Sequence, residues 1–420
     1  MSAPQHLVVI GQGYVGLPLA VRAVEVGFVV TGVDTDERRV EQLLLGQSYI
    51  EDISAKHLAT ALATGRFRVC TKLPDGINFD IAVIAVPTPL RDREPDLSFI
   101  EQAARRLAPR LRRGATVILE STTYPGTTDE FLAPLLEAAS GLVAGVDFFL
   151  GYSPERIDPG NRTWRIENTP KLVSGTTAES LTAVQSFYAT IVDRTVAVSR
   201  PSVAELSKLL ENTFRHVNIA LINELAILSH ELGIDVWEAV EAAATKPYGY
   251  MRFEPGPGVG GHCLPVDPTY LSWYVESRLG RTFRLIKLAN DINGGMPKYV
   301  VGRVVQALEE QAKPIAGSRL LLLGMAYKKN TGDVRESPAV RIAESLANMG
   351  ADVQLADPHV EPGVHPHIAR AQLTPQGVGE ADVVVILTDH DAFDVDLLAP
   401  ARHVIDCRNK MKDADNVELL

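Results

Sequence analysis

The chain of 420 residues is long enough for two or three domains. It carries 41 Lys and Arg against 52 Asp and Glu, and this net charge of −11 argues against nucleic acid or an anionic membrane as its partner. Hydrophobic residues make up 46% of the chain, but no apolar run is long and uninterrupted enough to span a bilayer. The three cysteines lie far apart, which favours free thiols and a reducing cytoplasm over a disulfide framework.

The N-terminal part alternates short apolar runs with helical patterns. Residues 6–10 predict a buried strand, and a glycine-rich turn with a helix that reaches about residue 26 follows it. Strands that alternate with helices favour a doubly wound parallel sheet, so we expect an α/β domain over residues 1–198. The later strands of this domain are predicted at 28–33, 80–86, 116–120 and 148–151.

The texture changes after residue 201. Residues 203–232 and 235–245 predict helices, and a further helical pattern covers about 268–311, so we expect an all-helical segment over 199–312 that connects two sheets and offers a dimer surface. A second β-α alternation begins at 319–324. The expected fold is therefore α/β, with two Rossmann-like doubly wound parallel-sheet domains joined by a central all-helical segment. The last domain is expected over 313–420, with later strands at 352–356, 382–387 and 403–406.

A dinucleotide fingerprint follows the first predicted strand. Gly11, Gly13 and Gly16 have the spacing that permits a tight turn, close approach of a pyrophosphate and close helix–strand packing. Asp34 ends the second predicted strand, where its carboxylate can accept from both ribose hydroxyls and would repel a 2′-phosphate. The pattern favours NAD over NADP as the cofactor, and the alternative is a glycine-rich turn in an unrelated sheet.

The glycine-rich stretch 255–267 contains Cys263, with Asp267 four residues on. Its four glycines permit backbone angles and close approaches that other residues do not. Such a loop indicates a nucleophilic thiol presented to a bulky ligand. A nicotinamide site combined with a nucleophilic cysteine predicts oxidation beyond the aldehyde, to the acid. The alternative is an inert buried thiol, the usual state of a free cysteine.

Other candidate residues are less specific. Lys208 and Asn212 are four apart on a predicted helix and share a face, where they could donate to a developing oxyanion; a solvated lysine is the alternative. Thr122 and Glu155 each follow a predicted strand at the edge where such sheets bind ligands. Glu155 could be a general base or a loop carboxylate. The basic segment 328–335 could hold a phosphate-bearing ligand or form a charged surface loop.

Taken together, these motifs resemble the UDP-sugar 6-dehydrogenase family almost from end to end. The resemblance implies NAD-binding, helical dimerisation and UDP-binding domains, and a four-electron oxidation of a UDP-sugar that uses two NAD⁺. It also implies a homodimer through the central helices or a larger assembly. The segments that carry it are Ile10-Gly-Gln-Gly-Tyr-Val-Gly-Leu-Pro-Leu-Ala20, Val86-Pro-Thr-Pro89, Glu120-Ser-Thr-Thr-Tyr-Pro-Gly126, Ser153-Pro-Glu-Arg156, Ala204-Glu-Leu-Ser-Lys-Leu-Leu-Glu-Asn212, the stretch 255–267 and Tyr327-Lys-Lys-Asn-Thr-Gly-Asp-Val-Arg-Glu-Ser337.

The resemblance implies a catalytic role for individual residues. Cys263 is the expected nucleophile, and Lys208 and Asn212 would stabilise the oxyanion. Asp267 would support the lysine and a water molecule, and Glu155 would act in thioester hydrolysis. The mechanism would pass through a thiohemiacetal and a thioester on Cys263, and no metal is expected.

The resemblance also implies the binding residues. Thr122 would order water or cofactor, and Arg252 resembles an arginine that reaches the substrate of the neighbouring subunit. The expected cofactor-binding residues are Gly11, Gly13, Tyr14, Val15, Gly16, Asp34, Arg39, Thr88, Thr122 and Arg335. The expected substrate-binding residues are Glu155, Arg156, Lys208, Asn212, Arg252, Gly260, His262, Lys328 and Arg408.

Two departures indicate the branch of the family. UDP-glucose dehydrogenases usually have Gly-Gly-Ser-Cys-Phe-x-Lys-Asp around the cysteine, whereas residues 260–267 read Gly-Gly-His-Cys-Leu-Pro-Val-Asp. The second glutamate of that branch, after Glu155, is missing. Both features resemble the UDP-N-acetylhexosamine branch, and Ser272-Trp273 with Thr282-Phe-Arg284 favours UDP-GlcNAc over UDP-ManNAc. The alternatives are a UDP-glucose 6-dehydrogenase, a two-electron hydroxy-acid dehydrogenase and a silent nucleotide-sugar binding protein.

Overall fold

The computed structural model describes residues 4–50, 52–92, 94–158, 161, 163–261, 263–411 and 414–420, without the side chain of Cys263. The chain divides into two compact units, Met1–Glu211 and Asn212–Leu420. The boundary between them falls inside one long helix, Pro201–Leu232. No helix among the described residues is both long and apolar enough to cross a membrane.

The described residues of the first unit form an eight-stranded sheet and a short hairpin, with helices between the strands. The strands are β1 (His6–Ile10), β2 (Val29–Val33), β3 (Phe67–Cys70), β4 (Ile81–Ile84), the hairpin strands β5 (Leu90–Arg91) and β6 (Glu94–Pro95), β7 (Thr116–Leu119), β8 (Phe149–Tyr152), β9 (Lys171–Gly175) and β10 (Thr195–Ala197). The helices are α1 (Gly16–Glu25), α2 (Glu37–Leu44), α3 (Ala55–Ala63), α4 (Ser98–Leu107), α5 (Ala133–Ser140) and α6 (Ala178–Ile191), with a 3₁₀ turn at Ala108–Arg110 and a π-helical turn at Thr127–Leu132.

The first sheet has the strand order β10-β9-β8-β7-β4-β1-β2-β3. Its pairs are parallel, as predicted, except that β8 and β9 are antiparallel. The described residues between β8 and β9 contain no helix, so the chain lacks the crossover that a parallel pair needs. The sequence prediction also missed β3, β9 and β10, which are short and carry charged or hydroxyl side chains.

Strand β1 of the first sheet separates two apolar cores. Along β1, Leu7 and Val9 point into one cluster, and Val8 and Ile10 point into the other. Successive side chains of a strand alternate between faces, so an uninterrupted apolar run marks a strand that is covered on both sides. This confirms the doubly wound reading of residues 6–10.

The central helices are α7 (Pro201–Leu232), α8 (Val236–Ala244), α9 (Cys263–Leu279) and α10 (Arg284–Glu310). Helix α7 ends where Gly233 adopts a positive φ of 67°. The side chain of Asp235 then caps α8 by accepting from Trp237 N and Glu238 N. The single helical run predicted at about 268–311 is two helices, because Gly280 takes a φ of 60° and interrupts it.

The second unit ends in a six-stranded sheet, counted over the described residues, with the order β13-β12-β11-β14-β15-β16 and only parallel pairs. Leu320 and Leu322 enter one core, and Leu321 and Leu323 enter the other. The second Rossmann-like sheet is thus confirmed. Its strands are β11 (Arg319–Leu323), β12 (Asp352–Ala356), β13 (Ala369–Arg370), β14 (Val383–Ile386), β15 (Val404–Asp406) and β16 (Val417–Leu419), and its helices are α11 (Pro338–Asn348), α12 (Pro375–Glu380) and a 3₁₀ turn at Val395–Leu398.

Candidate active site

The glycine turn between β1 and α1 has the shape of a dinucleotide cradle. Gly11 has a φ of 93°, and a Cβ there would lie 2.2 Å from Ala85 O. A Cβ on Gly16 would lie 1.8 Å from Gly11 O, so these two glycines are required for close packing. At Gly13 a Cβ would meet nothing within 4 Å. The backbone at Gly13 therefore borders open space where a pyrophosphate can approach the start of α1.

Asp34 follows β2 and is held beside this turn. Its Oδ2 accepts from Gln12 N at 2.9 Å, and its Oδ1 accepts from Asp36 N at 2.9 Å. Arg39 Nη1 lies 3.5 Å from the same Oδ2, while the guanidinium stands over the ring of Tyr49. The carboxylate is fixed, only 7% exposed, and placed where the ribose of NAD is bound in such folds. The residues present fit NAD.

Four further predicted cofactor residues belong to this unit. Val15 precedes α1, and Tyr14 packs against the neighbouring apolar core. Thr88 is buried after β4, and Thr122 is half-buried after β7. Arg335, in contrast, lies in the second unit, where it is ion-paired with Asp333 at 2.6 Å.

A buried group of charges surrounds Glu155. Lys171, the first residue of β9, donates from Nζ to Glu120 Oε1, and this Nζ is 3.6 Å from Glu155 Oε2. The other oxygen of Glu155 accepts from Arg156 N at 2.6 Å and from Ile157 N. Burial raises the pKa of Glu155, although the backbone N–H groups and the charge of Lys208 oppose that shift. A carboxyl with a raised pKa can accept a proton at neutral pH.

Helix α7 contributes two buried charged residues to the first unit. Lys208 is 8% exposed, so the alternative of a solvated lysine is wrong. One turn earlier, Glu205 is fully buried and accepts from Gly126 N at 2.5 Å, Thr128 N at 2.9 Å and Thr128 Oγ1 at 2.7 Å. Burial raises the pKa of Glu205 to about 7. These bonds fix α7 to the segment that also carries Thr122.

Arg156 is tied to α7 rather than left in solvent. Its guanidinium donates to both carboxylate oxygens of Glu211, at 3.1 Å and 3.3 Å from Nε, and Nη1 donates to Pro170 O at 2.9 Å. The side chain therefore holds the loop between β8 and β9 in place. Its predicted contact with substrate stays a prediction.

In the second unit, Asn212 and Asp267 are joined directly. Asn212 Nδ2 donates to Asp267 Oδ2 at 2.5 Å, and both side chains are buried. Cys263 begins α9 rather than standing within a loop, and Asp267 follows one helical turn later. His262 and the side chain of Cys263 lie outside the described residues.

The glycines before Cys263 lie against the last sheet domain. A Cβ on Gly256 would be 2.6 Å from Arg408 Nη1, and one on Gly260 would be 2.7 Å from Tyr327 Cβ. Gly261 N donates to Arg335 O at 2.8 Å. The structure therefore places Gly256 against Arg408, and Gly260 and Gly261 against the segment 327–335, which includes Lys328. Arg252 is 42% exposed on its side chain and pairs with Glu254, apart from this contact.

The two other cysteines lie where burial raises the pKa of their thiols. Cys407 is fully buried, and burial raises the pKa of its thiol to about 12. Burial also raises the pKa of the half-buried Cys70. Both thiols are protonated at neutral pH and are therefore weak nucleophiles.

The chain matches one known family over most of its length. The NAD binding domain of the UDP-glucose/GDP-mannose dehydrogenase family matches residues 5–192, the central domain matches 202–294, and the UDP binding domain matches 321–413. The chain belongs to the UDP-glucose/GDP-mannose dehydrogenase family. As a family member it is a nucleotide-sugar dehydrogenase with NAD as its cofactor, which confirms the predicted enzyme class and cofactor.

Relatives of this dehydrogenase act on N-acetylated sugars, according to their names. It is 37% identical over 389 residues to UDP-N-acetyl-D-mannosamine dehydrogenase of Pyrococcus horikoshii, covering 92% of this chain and 90% of the relative. It is 37% identical over 424 residues to UDP-N-acetyl-D-glucosamine 6-dehydrogenase of Pseudomonas aeruginosa, covering 98% of each. The solved structure of the Pyrococcus horikoshii UDP-D-ManNAc dehydrogenase aligns with a TM-score of 0.90 at 35% identity, over 99% of this chain and 98% of that one. These matches support the predicted N-acetylhexosamine branch.

Sequence reasoning missed three buried charged residues of this dehydrogenase. Glu120 and Glu205 lie inside segments that carry the family resemblance, but neither was given a role. Lys171 was not singled out at all. For Glu120 and Lys171 the available signal was a charged residue at the end or start of an apolar strand, because such a residue meets the ligand edge of a sheet. Glu205 lies on α7 and carried no such signal.

Proposed function

We propose that the protein oxidises the C6 hydroxyl of a UDP-N-acetylhexosamine to the uronic acid in four electrons, with UDP-GlcNAc favoured over UDP-ManNAc. The observation that carries the proposal is the 2.5 Å hydrogen bond from Asn212 to Asp267, which lies on the helix that Cys263 begins. A two-electron hydroxy-acid dehydrogenase needs no such cysteine. The relatives named above support the N-acetylated sugar.

The first oxidation produces the aldehyde at C6. NAD⁺, when bound, accepts one hydride from C6 in each of two oxidation steps. Lys208 and Asn212 lie one turn apart on α7 and donate to the oxygen at C6. This oxygen becomes negative as its proton passes to a base or to a water molecule that Lys208 binds. Asp267 orients the Asn212 amide, so that its NH₂ group and not its carbonyl faces the carboxylate.

Cys263 then holds the sugar through the second oxidation. Its thiolate forms a C–S bond to the aldehyde carbon, and the carbonyl oxygen becomes the alkoxide of a thiohemiacetal. Loss of the second hydride gives a thioester. Cys263 begins α9, and a helix N-terminus stabilises nearby negative charge, including that of a thiolate.

Glu155 completes the reaction by activating water. Its carboxylate takes a proton from a water molecule whose oxygen bonds to C6, and the C–S bond breaks to release the Cys263 thiolate and the uronate. The raised pKa of Glu155 suits a base at neutral pH. Thr122 follows β7, the neighbour of the strand that Glu155 follows, and it orders water or cofactor there.

The assembly and domain division belong to the same proposal. Seven large apolar residues are exposed at roughly helical repeats along α7, and an unpaired stripe of this kind favours a partner helix. We assign it to a second copy of the chain in a cytoplasmic homodimer, with domains at 1–198, 199–312 and 313–420. The residues are Leu206, Leu210, Phe214, Leu221, Leu225, Leu228 and Leu232.

The test is a panel of nucleotide sugars with NAD⁺, in which the NADH formed per sugar consumed is counted. UDP-GlcNAc, UDP-ManNAc and UDP-glucose form the panel, and two NADH per N-acetylated sugar are expected. A ratio near one rules out the four-electron reaction, and turnover of UDP-glucose alone overturns the substrate. Cys263→Ala should abolish uronate formation, while full activity in that variant would exclude the thioester.

A further inference from the structure

Lys171 is a buried cation that the proposed mechanism does not use. Its side chain is 6% exposed, and Nζ lies between Glu120 Oε1 and Glu155 Oε2. The ammonium also stands 5.1 Å from the centre of the Tyr188 ring. A buried ion pair contributes little net stability, because the cost of desolvating the two charges offsets much of their attraction. The placement of Lys171 beside the candidate base indicates a role in setting the state of that base.

Glu120 needs the same lysine. It follows β7 directly and is 1% exposed, and its Oε2 has no hydrogen-bond partner among the described residues. A buried carboxylate with one bare oxygen stays ionised only beside a cation. Burial, together with the charge of Lys208, lowers the pKa of Lys171, so the ammonium in turn relies on carboxylates to stay protonated.

The two oxygens of Glu155 have different partners. Oε1 is fixed by two backbone N–H groups, from Arg156 and Ile157, and Oε2 is turned toward Lys171. Lys208 on α7 and Tyr188 on α6 also act electrostatically on this carboxyl. Arg156 is neutralised by its bonds to Glu211.

We propose that Lys171 is a positioning residue shared by two buried carboxylates: it holds Oε2 of Glu155, and its charge is divided between Glu155 and Glu120. This division sets how much of Glu155 is ionised and able to take a proton from water. The inference rests on the proposed role of Glu155 as the base of thioester hydrolysis. The negative charge of Glu120 then offsets part of the attraction between Lys171 and the carboxylate of Glu155.

Opposite charge deletions should therefore move Glu155 in opposite directions. Lys171→Met leaves two buried carboxylates without their shared cation and raises the pKa of Glu155. Glu120→Gln removes the competing charge and lowers the pKa of Glu155. Each shift should be roughly one pH unit, the size expected for a charge within a few ångströms of a carboxyl. The double variant should lie between them, because both charges are gone.

The kinetic test follows the sugar adduct on Cys263. Enzyme, UDP-N-acetylhexosamine and NAD⁺ are mixed and quenched at intervals, and intact mass reports how fast the adduct disappears across a range of pH. The acid limb of this decay should move to higher pH in Lys171→Met and to lower pH in Glu120→Gln. Lys171 acting only as a structural brace would slow the decay or destabilise the fold in both variants without moving the limb in opposite directions.

A second readout does not depend on turnover. In protein labelled with ¹³C at the glutamate carboxyl carbon, NMR titration reports each carboxyl, and Glu155→Gln identifies the signal of Glu155. The midpoint of Glu155 should rise in Lys171→Met and fall in Glu120→Gln. Lys313→Met, which removes the partner of Asp382 in the second unit, should leave it unchanged. A midpoint that stays fixed, or moves the same way in both, overturns the inference. The NADH ratio tests the proposed function separately.

Discussion

The two sheet domains begin in the same way and then diverge. Gly11 and Gly324 have φ values of 93° and 90° and end equivalent first strands. Each second strand is followed by an aspartate whose carboxylate accepts from the backbone after that glycine, Asp34 from Gln12 N and Asp357 from Met325 N at 2.6 Å. Both sheet domains therefore have a glycine after the first strand that is hydrogen-bonded, through the next residue, to an aspartate after the second strand.

The two aspartates differ in how many hydrogen bonds their carboxylates already accept from the protein. Asp357 also accepts from Ala326 N at 3.0 Å, His359 N at 2.8 Å and the buried ring of His390 at 3.0 Å. Burial alone would raise the pKa of Asp357, but the His390 and backbone hydrogen bonds hold it well below its usual range. Asp357 is thus a structural anchor, whereas Asp34 keeps capacity for a ribose. An aspartate after the second strand does not by itself define a cofactor site.

The turns diverge as well. Helix α1 begins at Gly16, five residues after Gly11, but α11 begins at Pro338, long after Gly324. The position that corresponds to Gly16 is Lys329. The second domain therefore has the long segment 327–337, with Lys328, Lys329 and Arg335, where the first domain has the N-terminus of α1.

The largest expected effect comes from removing Asp357. Asp357→Ala leaves five donors, Val360 N among them, without their acceptor. It should lower the free energy of unfolding by about 3–5 kcal/mol, as for other broken buried charge networks. Asp34→Ala removes the acceptor of only two backbone N–H groups and should cost about 1 kcal/mol. Hydrogen exchange resolved by peptide, in rising urea, measures both and should show the loss in β11 and β12 for Asp357→Ala. Equal losses in the two variants would break the comparison.

The same network predicts a response to acid. Because the folded pKa of Asp357 is depressed below 3.8, the ordinary value of an aspartate, its contribution to stability is full above that pH and is lost as the pH falls below it. The second sheet should therefore open as the pH is lowered below about 4. In Asp357→Ala this acid dependence should shrink, and hydrogen exchange at a series of pH values measures it.

Glycine substitutions come next in size. Gly16→Ala places a methyl 1.8 Å from Gly11 O and should cost about 1–3 kcal/mol together with most NAD affinity. Gly13→Ala enters open space, so its stability should be unchanged while NAD binding weakens. Lys329→Ala, at the corresponding position of the second sheet, should leave NAD binding to the first unit intact. Calorimetric titration with NAD and thermal unfolding compare the three, and a stable, NAD-binding Gly16→Ala would contradict the packing argument.

Asp34 should control the choice between NAD and NADP. Asp34→Ala removes the ribose acceptor and frees Arg39, whose guanidinium lies 3.5 Å from that carboxylate, to meet a 2′-phosphate. The ratio of NAD to NADP affinity should fall roughly tenfold or more, the usual weight of a charged hydrogen bond. Binding of each nucleotide to the purified variant measures the ratio. Asp357→Asn is the matched control and should not change it.

A feature could be predicted from the sequence when the residues that form it lie close together along the chain. The cradle was predicted because Gly11, Gly13, Gly16 and Asp34 obey a local spacing, and the buried parallel strands appear as apolar runs. The bond between Lys171 and Glu120 joins residues 51 apart, and Glu205 meets Thr128 across 77. Spacing cannot reveal such pairs, because only the folded sheet brings them together. The antiparallel direction of β9 could not be predicted from spacing either, because it depends on the segment after β8, which contains no crossover helix among its described residues.

The smallest expected effect is a difference in alkylation rate between Cys263 and the cysteines of the two sheets. Cys70 ends β3 of the first sheet, and Cys407 follows β15 of the second. Iodoacetamide reacts with thiolates, and burial keeps both of these thiols protonated at neutral pH, with the pKa of Cys407 at about 12. Short alkylation of the native protein, read by peptide mass, should therefore label Cys263 first, Cys70 slowly and Cys407 only after unfolding. Rapid labelling of Cys407 in the folded protein would mean that the second sheet opens far more readily than its anchored Asp357 allows.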